Sequence, residues 1–274
     1  MINNTQICEN DAIKYKKIVL EMMADFDIFL LKHGVAYSLD GGTLLGAIRH
    51  HGWIPWDDDI DIILEKEQYY KLLKVINDFN SEKYEVVMPF TTKFSNCRMI
   101  KIFRKDVSIL EENCNFFEGP FIDVFYAIDI PFQHSILNRM YLGVYRFITM
   151  AYDIKNGRID TSLLQTPIVK MEQIFGNIIP KRVLKLIIES FISYSNDNAS
   201  FVTSYGSFYP HNKKIFNEYE KVPFEEYYFL SVKEYDAYLK KVFGDYMKLP
   251  PIEDQVSHHI RFIDFNTPYN NNDV

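Results

Sequence analysis

Residues 39–64, LDGGTLLGAIRHHGWIPWDDDIDIIL, decide how this chain is read. Three aspartates run together at Asp57, Asp58 and Asp59, a fourth follows at Asp61, and from Ile62 the chain turns apolar. DIDIIL has the composition of a buried strand, and side chains along a strand alternate between its faces. Asp59 and Asp61 therefore share one face, while Ile60 and Ile62 share the other and enter the core. Two carboxylates side by side at the start of a buried strand repel each other unless something neutralises them. A divalent cation does so, and hard carboxylate oxygens suit Mg²⁺ or Mn²⁺. The competing reading is a solvated acidic loop ahead of an ordinary strand.

Upstream, Gly41 and Gly42 separate a strand, VAYSL, from a short helix, TLLGAIRH, expected to begin near Thr43. A helix start has free N–H groups and the positive end of the helix dipole, and glycines let a phosphate approach the backbone closely. Gly41, Gly42 and Thr43 thus make a phosphate-binding turn facing a cation site. Phosphoryl transfer needs this pairing, with a clamp on the phosphate and positive charge on the developing anion. A third carboxylate is expected from another strand. FIDVF supplies Asp123, held between Ile122 and Val124, where an acid is costly unless paired or ligated. The alternative is a strand-end aspartate capping a turn. Asp129 is expected in the loop after this strand.

Other candidates carry two readings each. Arg49, near the end of the short helix, either grips a phosphate with its planar fork or complements the helix dipole. Lys101 alternates with Ile100 and Ile102 in a buried strand, so its charge calls for an anion, either a donor phosphate or a structural carboxylate. Trp53 and Trp56, the only tryptophans, flank the acidic loop. Trp56 is the candidate substrate contact, since aromatic faces hold quaternary ammonium groups, although pinning the loop to the core is the favoured role for the pair. His50 and His51 read as surface residues. His258, beside His259 and after a Pro-Pro turn, is a candidate contact for phosphate or acceptor.

The wider pattern is α+β. DAIKYKKIVLEMMADFDIFLLKHG has helical periodicity, with Asp11 as N-cap and Gly34 as stop. YEVVMPF, CRMIKIFR and FIDVFYAI read as further strands. Beyond Pro131 the pattern is mainly helical to about Tyr194, then mixes short segments with one helix. This predicts a mixed catalytic sheet with flanking helices over residues 1–130 and a mainly helical annex over 131–274 that completes the donor and acceptor site.

A net charge of −7 in 274 residues argues against a nucleic-acid-binding surface. The three cysteines, Cys8, Cys97 and Cys114, have no zinc-ligand spacing and suit a reduced, cytoplasmic setting. The N-terminal stretch lacks the apolar run of a signal peptide, and no stretch reads as a membrane span. ILNRMYLGVYRFITMAYDI, with Arg139 and Arg146, reads as an amphipathic helix, either packed on the body or lying on a membrane surface.

Gly-Gly after a strand, Asp-x-Asp on the next strand and a lone aspartate on a later one is the layout of the nucleotidyltransferase fold. The long version here, with FIDVF, FGDYMKLPP and the SHH that follows, resembles the LicD family, which has relatives in the fukutin group. The likeness runs from about residue 10 to about residue 262. It implies transfer of a phospho-alcohol, commonly phosphocholine, from a CDP-linked donor to a hydroxyl of a cell-surface glycan, with CMP released. It also places Asp59, Asp61 and Asp123 as metal-binding acids and Gly41, Gly42 and Thr43 as the phosphate turn. The chain departs from the family in reading DVFYAID, where relatives have a proline and one residue fewer. The alternatives are a nucleotidyltransferase that releases pyrophosphate, or a non-catalytic binding protein on the same fold.

Overall fold

The computed structural model describes residues 7–91, 98–111, 117–131, 135–156, 166–194, 200–203, 210–255 and 260–269. His258, Cys97 and Cys114 lie outside them.

The chain opens with helix α1 (Glu9–Lys32), which buries Tyr15, Val19, Met22, Phe26 and Leu30 along one stripe. The helix starts at Glu9 and not after Asp11, so both acids sit in its first turn, where the dipole favours them. Gly34 stops it with φ +62°, a left-handed conformation that glycine adopts without strain. Then come β1 (Ser38–Leu39), α2 (Gly41–His50), β2 (Ile60–Leu64), α3 (Lys66–Leu73), β3 (Tyr84–Val87), β4 (Ile100–Arg104), β5 (Ser108–Glu111) and β6 (Phe121–Asp129).

The main sheet has the order β1-β2-β6-β4-β3. Only the β2–β6 pair is parallel, and β1–β2, β6–β4 and β4–β3 are antiparallel. The fold is therefore α+β with a mixed sheet. All nine residues of β6 are buried, as expected of the central strand. Asp129 is the last residue of that strand, not part of a following loop, and is fully buried. Two partners hold it there. β7 (Ser200–Thr203) pairs with Ala127, Ile128 and Asp129, and Lys213 Nζ lies 3.0 Å from the Asp129 carboxylate.

After Pro131 three helices follow, α4 (Ser135–Lys155), α5 (Pro167–Ile178) and α6 (Lys181–Ser193), with α4 packed on both of the others. From Ser200 onward the chain adds β7, β8 (His211–Asn212), β9 (Tyr219–Phe224), β10 (Tyr227–Val232), α7 (Tyr235–Phe243) and β11 (Ile260–Asp264). These segments return to the first half. β7 joins β6, β11 pairs with β5, and the β9–β10 hairpin lies beside β1. Among the described residues, no helix is long and apolar enough to cross a membrane.

Candidate active site

Strand register creates the centre of the site. On parallel β2 and β6, Asp61 stands opposite Asp123; on antiparallel β4, Lys101 stands opposite Asp123 from the other side. Residues directly opposite share a face, so Asp61, Asp123 and Lys101 form one row across three strands. Lys101 is 1% exposed. Its Nζ lies 3.3 Å from Asp123 Oδ1 and 3.9 Å from Glu118 Oε2, and 3.4 Å from the centre of the Phe121 ring. The structure thus places Lys101 as the buried counter-charge of Asp123.

Asp59 sits just ahead of β2. One carboxylate oxygen from each of Asp57, Asp58 and Asp59 lies within 4.8 Å of the others, the one such acidic group among the described residues. Asp61 and Asp123 stand beside this trio and share its field. Burial holds the Asp61 carboxyl well above the usual carboxylate range, and Asp59, Asp123, Asp40 and Asp57 push it further the same way. The donors are all hard oxygens, and the cluster's mutual repulsion is what a divalent cation relieves, so these residues fit Mg²⁺ or Mn²⁺.

The phosphate turn lies directly against the acids. Helix α2 begins at Gly41, two residues earlier than expected, with the Leu44 N–H donating to the Asp40 carbonyl at 3.0 Å, and Gly41 takes φ +50° at the reversal. A Cβ on Gly41 would lie 3.7 Å from Asp61 Oδ2, and one on Gly42 would lie 2.5 Å from Asp57 Oδ2. Thr43 locks helix to strand, its hydroxyl accepting from the Asp61 N–H at 2.9 Å. The Asp40 N–H donates to the Asp61 carbonyl at 3.0 Å. A side chain at Gly42 must displace Asp57. Gly42→Val should therefore leave the protein folded and weaken binding of a CDP-linked donor by about tenfold or more, roughly 1.4 kcal/mol. Calorimetry on the folded variant checks this, and an unchanged affinity would confine the glycine to chain reversal.

Beneath the turn, the Tyr238 hydroxyl of α7 donates to the buried Asp40 carboxylate. Burial raises the Asp40 carboxyl to about 6, against the opposing pull of Tyr238 and the Gly41 N–H. His211 stacks on Tyr238 with ring centres 4.5 Å apart, and burial, with Lys241 nearby, pushes its imidazole down to about 4. Arg49 gives Nη1 to the Tyr246 carbonyl at 2.9 Å, so it ties α2 to the segment after α7. Trp56 is half-buried on the core with its ring edge-on to His50 at 6.3 Å. Lys16 of α1 donates to the carbonyls of Ile54 and Pro55 at 3.3 and 3.0 Å and holds the loop that carries the acids.

Residues 34–142 match the family model described as "LicD/FKTN/FKRP, nucleotidyltransferase domain". That span contains the turn, the acidic trio and the whole row from Asp61 to Lys101. The chain is also 28% identical over 259 residues to a lipopolysaccharide cholinephosphotransferase LicD of Haemophilus influenzae, across 89% of this chain and 94% of that protein.

The chain resembles the LicD family.

Shorter likenesses reach other proteins. An uncharacterised protein of Rickettsia prowazekii is 39% identical over 66 residues, 24% of this chain and 25% of that protein. The human ribitol 5-phosphate transferase FKRP is 62% identical over 29 residues, 11% of this chain and 6% of that protein. In this chain, the site parts that sequence reading did not assign are Asp57, Asp40, Tyr238 and Lys16. Asp57 had a signal, its place in the acidic run. Asp40 had a weaker one, an aspartate just before a helix start. Tyr238 and Lys16 had none, because tertiary packing alone brings them to the turn and the acidic loop.

Proposed function

We propose that this protein is a metal-dependent transferase that moves a phospho-alcohol, phosphocholine foremost, from a CDP-linked donor to a hydroxyl of a cell-surface glycan. The observation that carries this reading is the Gly-Gly turn laid against Asp57 and Asp61, an anion-binding helix start facing a row of acids. Similarity to a cholinephosphotransferase over most of the chain supports phosphocholine as the transferred group.

The attacking hydroxyl oxygen forms a bond to the phosphorus that carries the alcohol. The bond from that phosphorus to the bridging oxygen breaks, and CMP leaves with the electron pair. The hydroxyl proton passes to a carboxylate of the row, a role assigned to Asp123. Asp59, Asp61 and Asp123 would hold Mg²⁺ or Mn²⁺, which supplies charge neutralisation at the transferring phosphate. The N–H groups at the start of α2 bind the donor diphosphate, and Thr43 keeps that start in register with Asp61.

The test is competition among donors. CMP release is measured from CDP-choline, CDP-ribitol and CDP-glycerol under the same conditions with Mg²⁺, and CDP-choline is expected to turn over fastest. Much faster turnover of CDP-ribitol would transfer the assignment to the polyol that the short likeness to FKRP suggests. Release of pyrophosphate from a nucleoside triphosphate, with no CMP from any CDP-alcohol, would overturn the phosphotransfer reading.

A further inference from the structure

The helices after the sheet expose an apolar surface that nothing in the described fold covers. Among the described residues, ten of the nineteen large hydrophobics that stand exposed lie on α4, α5 and α6. On α4 one side is buried through Leu142, Tyr145 and Tyr152, while Ile136, Met140 and Val144 on another are 72%, 64% and 52% exposed. Helix α5 buries Val169 and Gly176, yet Met171, Ile174 and Ile178 are 61%, 61% and 71% exposed. The rings of Phe147 and Phe175, 5.3 Å apart, join the two outward stripes. A helix apolar on two sides is expected to bury both, and a continuous exposed patch of this kind marks an interaction face.

Charge chooses the occupant. Residues 135–194 hold eight Lys or Arg against four Asp or Glu, a local +4 in a chain whose net charge is −7. Arg139 and Arg146 are exposed and two turns apart on α4, beside the apolar stripe. Lys170, Lys181 and Arg182 are exposed on α5 and α6. A second copy of this chain would set one positive face against another. An anionic lipid surface gains from the same charges and accepts the apolar side chains below its headgroups. We propose that the α4–α5–α6 face docks on an anionic bilayer, with Met140, Val144, Met171, Ile174 and Ile178 entering the headgroup–acyl boundary and the arginines at phosphate level. This is independent of the transferase reading.

The experiment is vesicle flotation of the purified chain. One set of vesicles is pure phosphatidylcholine, and the other is an equal mixture of phosphatidylcholine and phosphatidylglycerol. Binding to the anionic vesicles should exceed binding to the neutral ones by about tenfold or more and fall at high salt. The double variants Met171→Glu/Ile174→Glu and Arg139→Glu/Arg146→Glu should each lose it while keeping the wild-type melting temperature. Arg146 also faces the buried Glu172, so Arg139→Glu alone, a change at an exposed position that should lower the binding, keeps the test valid if a double variant misfolds. Absence of binding to the anionic vesicles, or binding by the folded variants equal to wild type, would overturn the proposal. So would a wild-type dimer that Met171→Glu/Ile174→Glu converts to monomer, which would assign the face to a second copy.

Discussion

Asp61→Asn is expected to lower turnover by at least about 100-fold, the scale for losing one group that stabilises transition-state charge, and to raise the melting temperature of the metal-free protein at neutral pH. The two effects share one cause. Asp61 lies in a field set by its burial and by Asp59, Asp123, Asp40 and Asp57, all of which disfavour its ionised form. A carboxyl whose folded pKa is raised stabilises the fold below its unfolded value. That contribution is lost as pH rises through the folded value. Asp40 behaves the same way, with a window from 3.8 to about 6. The metal-free wild type should therefore lose stability from about pH 4 upward. Asparagine cannot ionise, so the variant should be flatter with pH and more stable than wild type at neutrality, by about 2–4 °C per kcal/mol in a chain of this size. Added Mg²⁺ should raise the wild-type melting temperature by mass action and leave the variant nearly unmoved. Thermal scans with and without Mg²⁺ across pH, beside an assay of CMP release, read all of this. Near-normal Mg²⁺-dependent turnover in Asp61→Asn would falsify the metal-site reading. A melting temperature lowered at neutral pH would show that Asp61 is held by favourable bonds rather than strained by its neighbours.

Local chemistry made much of this site legible and strand order hid the rest. Apolar composition identified the strands carrying Asp61 and Asp123, because β2 and β6 are near-continuous apolar runs broken mainly by those acids. Their adjacency is another matter. Asp61 meets Asp123 only because β6 inserts beside β2, with β4 on its far side, and nothing in the spacing of the two motifs encodes that order. The same holds for Lys101. Its unusual burial was visible from its isoleucine neighbours, but the choice between a phosphate and a carboxylate required the β4–β6 register. Asp129 was misplaced into a loop because an acid at the end of an apolar run reads locally as an exit. Strand β7, far along the chain, extends the pairing and Lys213 supplies the charge. Gly41 could be read from residue type, since a sharp reversal favours glycine. Gly42 could not be explained the same way, because what it makes room for is Asp57. Of the strands after Ser200, β7 and β8 have only four and two residues, whereas β9 and β10 have six each, longer than β2, and are half-exposed without a continuous apolar run.

Lys101→Met should cost about 3–5 kcal/mol, the scale for removing one partner of a buried ion pair. Methionine nearly matches the lysine stem in volume and sits well against Phe103 and Phe121, so lost packing is a small part of the effect. The larger part is electrostatic. Asp123 and Glu118, 8% and 5% exposed, both face the Lys101 ammonium. Without it, two buried carboxylates confront each other a short distance from Asp61. Denaturant unfolding of the metal-free protein measures the loss. Two further measurements separate charge from shape. Adding Glu118→Gln to Lys101→Met should restore part of the stability, because it removes one of the stranded charges, whereas a packing defect would be unaffected or worsened. Mg²⁺ should stabilise Lys101→Met more than wild type, since a cation bound at the acid row also offsets the charge left on Asp123. If Lys101→Met stays within about 1 kcal/mol of wild type, the range of an exposed ion pair, then Lys101 is not the counter-charge of Asp123, and its burial must serve a bound anion instead.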